Sequence, residues 1–144
     1  MRLTSTHAKP LIAIGGENLI DTVQTVGPDG SVTSTHKLGG SPFNVALALA
    51  RQGQRPRYIT PISTDAFGQR LAAHLTENGG VVAGTRNNAP TTQAIVSLDR
   101  GIPTYDFQRD DTAERRVTLN SIRSTFPEAT SHFHVGSLAF VGGT

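Results

Sequence analysis

The chain of 144 residues contains no cysteine and no tryptophan, a single methionine, and only two lysines, Lys9 and Lys37. Without cysteine, disulfides, thiolate metal sites and cysteine nucleophiles are excluded, while the cellular compartment is left undecided. Arginine therefore carries almost all of the positive charge, and the formal net charge is only +2 at pH 7. No basic block interleaved with aromatics occurs, so nucleic acid is not an expected partner. Long apolar runs are lacking too. The stretch Leu11 to Ile14 is too short for a signal-peptide core and leads into Glu17 and Asp21, so it reads as a first strand, and neither a targeting segment nor a membrane partner is expected. Gly15-Gly16-Glu17-Asn18-Leu19-Ile20 does not follow the G-x-G-x-x-G spacing, and no P-loop occurs, which argues against a dinucleotide enzyme.

What remains is ordinary for a soluble globular domain with one core, at 36% hydrophobic and 17% charged residues. Strand and helix signals alternate as a mostly parallel sheet with helices on both faces requires. After the strand Leu11 to Ile14, the segments Leu19 to Val26 and Ser31 to Leu38 flank Gly27-Pro28-Asp29-Gly30 and read as a β-hairpin. Pro42 to about Gln52 is apolar almost all round and predicts a buried helix stopped by Gly53. Tyr58 to Ile62 predicts a strand, and Asp65 to Asn78 a helix with Phe67, Leu71 and Leu75 on one stripe and Asn78-Gly79-Gly80 as its stop. Val81 to Gly84 is short and strand-like. A second hairpin follows, Thr92 to Leu98 and Thr104 to Gln108 around Asp99-Arg100-Gly101-Ile102-Pro103, so the two hairpins suggest a small antiparallel flap beside the main sheet. Residues 112–125 have weak helical spacing, and Ser131 to Val135 with Leu138 to Val141 read as a final buried strand.

One stretch carries chemistry. Gly39-Gly40-Ser41-Pro42-Phe43-Asn44 is a glycine pair feeding a helix, with Ser41 suited to the N-cap and Pro42 to the first helical position. A backbone without Cβ atoms lets a ligand approach, and Asn44 offers one acceptor and two donors for hydroxyls. The plainer alternative is an ordinary strand-to-helix turn. Asp21, similarly, is either a ligand acceptor or a solvated carboxylate at a strand. Arg109 is either a ligand donor or the partner of its neighbours Asp110 and Asp111, and Phe107 is either a ligand cover or flap core. His132 and His134 share one side of a strand without a third ligand at plausible spacing, so a packed or solvent-facing pair is the expectation and no metal is assigned.

These residues resemble the PfkB, or ribokinase-like, carbohydrate kinases, most closely their fructokinase-like branch. Ile14-Gly15-Gly16-Glu17-Asn18-Leu19-Ile20-Asp21 is similar to the family's opening Gly-Glu-x-Leu-Ile-Asp, and Gly39 to Ala46 to its Gly-Gly-x-x-x-Asn-x-Ala signature. Asp65-Ala66-Phe67-Gly68, Pro90-Thr91-Thr92, Phe107-Gln108-Arg109 and His134-Val135-Gly136-Ser137-Leu138 resemble later motifs in the family's order. The resemblance implies a Rossmann-like α/β body, mostly parallel with helices on both faces, and a small β-lid built from hairpins at about 18–38 and 91–109. It implies that Asp21 and Asn44 bind sugar hydroxyls, that Gly39 and Gly40 close against the sugar, and that Phe107 and Arg109 cover it from the lid. ATP and Mg2+ are the implied cofactors, a small sugar the implied partner, the cytoplasm the implied location, and a homodimer through the lid a further implication.

The family's Asp-Thr-x-Gly-Ala-Gly-Asp segment, whose last aspartate is the catalytic base, does not occur here, nor does its Asn-x-x-Glu magnesium-nucleotide motif. The chain is thus expected to be the N-terminal, sugar-binding portion of a longer single domain, ending at an open sheet edge, with no catalytic residue of its own and no kinase activity by itself. A non-catalytic sugar-binding or interaction module is the alternative. Gly-Gly-Ser-Pro-Phe-Asn is closer to fructokinases than to ribokinases, which usually carry Lys-Gly after the glycine pair. Gln108 stands where 2-keto-3-deoxygluconate kinases commonly place tyrosine, and a nucleoside substrate is the remaining option.

Overall fold

Among the described residues the strands form three β-sheets, two of four strands and a small parallel pair, Ile62–Ser63 with Arg86–Asn87. The computed structural model describes residues 9–99 and 102–141; Arg100 and Gly101 of the second expected turn, and Gly142-Gly143-Thr144, lie outside the described residues. In the body, β1 (Ile12–Gly15) is a short apolar strand buried on both faces, as a parallel strand between helical layers must be. It is followed by the long hairpin β2 (Leu19–Val26) and β3 (Val32–Gly39), and then by α1 (Ser41–Arg51). The chain returns through β4 (Arg57–Tyr58) and β5 (Ile62–Ser63) to α2 (Ala66–Glu77), β6 (Val81–Val82) and β7 (Arg86–Asn87). A second hairpin, β8 (Thr92–Asp99) and β9 (Ile102–Gln108), precedes a 3-10 turn at Ala113–Arg115, α3 (Leu119–Thr125), β10 (His132–Val135) and a last 3-10 turn at Leu138–Phe140.

The body sheet has the order β10-β1-β4-β6, all parallel. Its core lies on the face covered by α1 and α2, where Ile14, Phe43, Tyr58, Leu71 and Leu75 are fully buried. Phe43 meets Tyr58 edge to face with ring centroids 5.8 Å apart, and each such side chain contributes about 1.5–3 kcal/mol by leaving water. On the opposite face, the end of α3 brings Phe126 against Phe133 of β10 at 5.1 Å. Helices therefore cover both faces, as the sequence predicts.

The second sheet, the lid, runs β3-β2-β8-β9. Both hairpins form where expected, but they are joined by a parallel pairing of β2 with β8, Leu19 opposite Thr92 through Gln24 opposite Ser97, so the sheet is mixed and not antiparallel. The face carrying Ile20 and Thr22 leans on the start of α2, where the His36 ring lies 5.1 Å from Phe67 and its Nδ1 is 2.9 Å from Thr22 Oγ1.

Three local expectations are corrected. The strand foreseen over Tyr58 to Ile62 is broken into β4 and β5, because Pro61 has no N–H for a ladder and Thr60 turns its hydroxyl to accept from Gly16 N–H at 2.8 Å. Leu138 to Val141 is a 3-10 turn rather than strand, closed by Phe140 N–H to Ser137 O at 3.1 Å. β10 is mostly exposed instead of buried, since among the described residues it pairs only with β1 and forms the sheet's outer edge.

The start of α2 ties body to lid. Asp65 caps the helix by accepting from Gly68 N–H at 2.7 Å, and its carboxylate also accepts Thr91 N–H at 2.8 Å and Thr91 Oγ1–H at 2.7 Å, one residue before β8. Burial raises the Asp65 pKa, but the hydrogen bonds from Thr91, Gly68 and Ser63 outweigh it and hold the carboxyl below its ordinary 3.8. A folded-state pKa below the unfolded one stabilises fully above the unfolded value and is lost as pH falls through the folded one. Asp65→Ala is expected to lower the unfolding free energy by about 1–2 kcal/mol. In urea titrations the gap to wild type should narrow below pH 3.8; a gap independent of pH would refute the carboxylate's role.

Candidate functional site

The site grows from the junction of β3 with α1. Gly40 is the N-cap of α1, at φ 102° and ψ 123°, a conformation that side-chain-bearing residues rarely adopt. A Cβ there would lie 2.5 Å from the Glu17 carbonyl oxygen, so the turn closes only over glycine. Ser41 was expected to cap and does not: it is the first helical residue, and no side chain of the N-cap residue itself closes the helix. Ser41 N–H instead donates to Glu17 Oε1 at 3.3 Å. Glu17 is 1% exposed, and its Oε2 has no partner among the described residues. A carboxylate thus sits at the positive end of the helix dipole. Below it, Tyr58 donates to Gly16 O at 2.6 Å and receives Asn18 Nδ2–H at 3.2 Å, while burial pushes the Tyr58 hydroxyl far above its ordinary range and keeps it protonated. Asn44, one turn into α1, is exposed, and its side chain forms no hydrogen bond among the described residues.

The lid supplies the facing wall. Strand register sets Lys37, Asp21, Ala94 and Phe107 side by side on one face of the sheet. Asp21 is half-buried, and a Cβ on Gly39 would collide with its carboxylate, so that carboxylate rests directly on the Gly39 backbone. Phe107 is 49% exposed two strands away, about 10 Å at ordinary strand spacing. Ala94 between them is small and buried, which leaves a shallow trough with a carboxylate at one side and an aromatic ring at the other. Asp21, Gly39 and Phe107 thus share one lid face; Gly40 follows Gly39 directly, and Asn44 comes four residues later in α1.

A family model described as pfkB family carbohydrate kinase matches residues 16–141. The chain belongs to the pfkB family. It is 33% identical over 144 residues to probable fructokinase-3 of Arabidopsis thaliana, covering 96% of this chain and 42% of that relative. The crystal structure of fructokinase from Xylella fastidiosa superposes with a TM-score of 0.72 at 30% identity, over 78% of this chain and 38% of that one. The same Xylella enzyme with bound ATP superposes with a TM-score of 0.70. The chain therefore spans about two fifths of the length of these relatives.

In this pfkB chain Arg109 does not lie free over the lid face. Its Nε donates to Glu114 Oε1 at 3.0 Å, its NH2 to Leu138 O at 2.9 Å and its NH1 to Val141 O at 3.1 Å. The pair is largely withdrawn from solvent, with side chains 13% and 3% exposed. The local partnership with Asp110 or Asp111 is not formed; Asp111 pairs with Arg116 at the surface. Glu114 Oε1 also accepts from Thr92 Oγ1 at 3.1 Å, and Thr112 Oγ1 donates to Arg109 O at 3.0 Å. Arg109 and Glu114 wall a cleft of about 300 Å³ that continues past Gly15, Gly16 and Thr60 to Phe133, at the C-terminal ends of the parallel strands where open α/β sheets place ligands. His132 and His134 stay exposed on β10, and no three His, Asp or Glu side chains among the described residues are grouped to hold a metal ion.

Glu17 and Glu114 escaped the sequence reading. Glu17 stood inside a quoted motif, but it lies 24 residues before Ser41 with β2 and β3 between, so nothing local tied it to α1; Glu114 lies in an undistinguished polar stretch and left no signal either.

The helix entry yields a direct test. Gly40→Ala should destabilise the chain by at least about 2 kcal/mol, through the backbone conformation and the Glu17 contact. Ser41→Ala, exposed and uninvolved in a cap, should stay within about 0.5 kcal/mol. Denaturant midpoints measured on both variants decide it, and a costly Ser41→Ala would restore the serine cap.

Proposed function

We propose that the polypeptide carrying this chain is an ATP-dependent sugar kinase of the fructokinase type, and that this chain forms its sugar-binding part. The observation that carries the reading is the free carboxylate of Asp21 laid on Gly39, on the same lid face as Phe107, with the exposed amide of Asn44 five residues past Gly39 in α1. A sugar presents several hydroxyls and an apolar ring face at once. Asp21 accepts two hydroxyl protons, Asn44 donates and accepts, the bare Gly39-Gly40 backbone lets the ring close in, and Phe107 shields it from water. Membership of a carbohydrate kinase family and the likeness to fructokinases support the same substrate class. Arg109 belongs to the site as a wall held through Glu114.

ATP supplies the phosphoryl group in such a reaction, and Mg2+ commonly accompanies it. The residues present do not fit either group. The N-terminus of α1, the natural phosphate seat, already receives the Glu17 carboxylate, and no metal-binding cluster exists among the described residues. This chain's part is accordingly to bind and orient the sugar and to exclude water. The reading carries with it a cytoplasmic location, where ATP is supplied, no nucleic-acid or membrane partner, and a homodimer formed through the lid. No helix among the described residues is long and apolar enough to cross a membrane.

The test is ADP formation by the purified natural polypeptide with ATP, Mg2+ and a panel of sugars, with fructose expected as the best acceptor. Asp21→Ala should lower kcat/KM about 100-fold or more, since two charge-assisted hydrogen bonds at about 1.5–3 kcal/mol each are removed. Asn44→Ala should cause a smaller loss, with melting temperatures unchanged in both. Near-normal kcat/KM for Asp21→Ala on the best sugar would remove the site from this face of the lid.

A further inference from the structure

At the base of the second hairpin, two polar contacts converge on one buried carboxylate. Thr92 opens β8 and Arg109 directly follows β9, so the two residues mark the inner ends of the second hairpin's strands. Both donate to the same atom, Glu114 Oε1, at 3.1 and 3.0 Å. Thr92 Oγ1 also lies 2.8 Å from Thr112 Oγ1, so its single proton is shared between Thr112 and Glu114, while Thr112 donates to the Arg109 carbonyl at the hairpin's base. The other two arms of the Arg109 guanidinium hold Leu138 O and Val141 O, in the segment that follows β10 of the body. Glu114 is 5% exposed, so its charge has no solvent alternative to these partners.

We propose that Glu114 is a positioning residue: through Arg109 and Thr92 it sets the angle of the β8-β9 hairpin over the body, and thereby the place of Phe107 above the trough beside Asp21. Its bearing on sugar affinity rests on the function proposed above. Glu114 touches no substrate in this role. Phe107 stands two residues from Arg109 on β9, and Ala94 two residues from Thr92 on β8, so both lid contacts to the trough hang from the Glu114 joint. The arginine holds three acceptors from three nitrogens spread over a planar fork, a geometry that the single ammonium nitrogen of a lysine does not reproduce.

The experiment compares hydrogen exchange, read by mass spectrometry, in the natural polypeptide and its Glu114→Gln and Arg109→Lys variants, together with fructose affinity by calorimetry. Glu114→Gln should speed exchange across β8 and β9 by about tenfold or more while β1 and α1 keep their protection. Arg109→Lys should give the same local pattern with smaller amplitude. The dissociation constant for fructose should rise about tenfold in Glu114→Gln, with kcat changed far less. Acceleration spread evenly over the chain, or none, overturns the proposal, as does local loosening that leaves fructose affinity unchanged. If wild type binds no fructose while exchange still loosens only in β8-β9, the joint stands and the sugar assignment falls.

Discussion

The site depends on how closely one helix end can approach the ends of the body strands. The Pro42 ring at the start of α1 is fully buried between Gly16 and Gly136, and a Cβ at either glycine would run into it. Gly16, at φ 126°, could not carry a side chain without strain in any case. This contact fixes the depth of α1 against β1 and β10. The Gly39-Gly40 turn above it, the Glu17 carboxylate beneath it and the outward amide of Asn44 all take their places from that depth. Proline is suited to the position twice over: its φ is already helical, and the N–H it lacks is one that the first turn of a helix leaves without an internal partner.

Much of this was legible in the sequence, for identifiable reasons. The hairpins were readable because glycine, proline and aspartate cluster at 27–30 and strand-forming residues flank them. α2 was readable because its stripe of Phe67, Leu71 and Leu75 has helical spacing and its ends carry Asp65 and Asn78-Gly79. The candidate site residues were chosen by motif, and strand register sets Asp21 and Phe107 on a common face. What escaped is long-range and polar. No local pattern says that Thr92 meets Glu114, that Ser41 N–H finds Glu17, or that Arg109 reaches past two adjacent aspartates to a buried glutamate. Such pairings follow from where the finished sheets lie.

The contrast between Ser41 and Glu17 is instructive physically. A serine before proline is a reasonable cap, but the glycine that the turn requires at position 40 takes the cap position itself and moves Ser41 into the helix. The orphan amide is then answered from another strand end. A tertiary carboxylate carries a full charge where a serine hydroxyl carries only a dipole, so it answers the helix dipole more strongly, and it links α1 to the loop after β1, which a local cap would not.

The parallel seam between β2 and β8 has a consequence for how the lid comes apart. Each hairpin closes over a few residues, yet the seam joins position 19 to position 92, with α1, β4, α2 and β6 strung between. Loop-closure entropy weighs against joining such distant segments until the intervening body is compact. The lid is thus two ribbons, each closed by a short turn, that are joined only while the body is intact, so loosening α1 or α2 is expected to part them along that seam first.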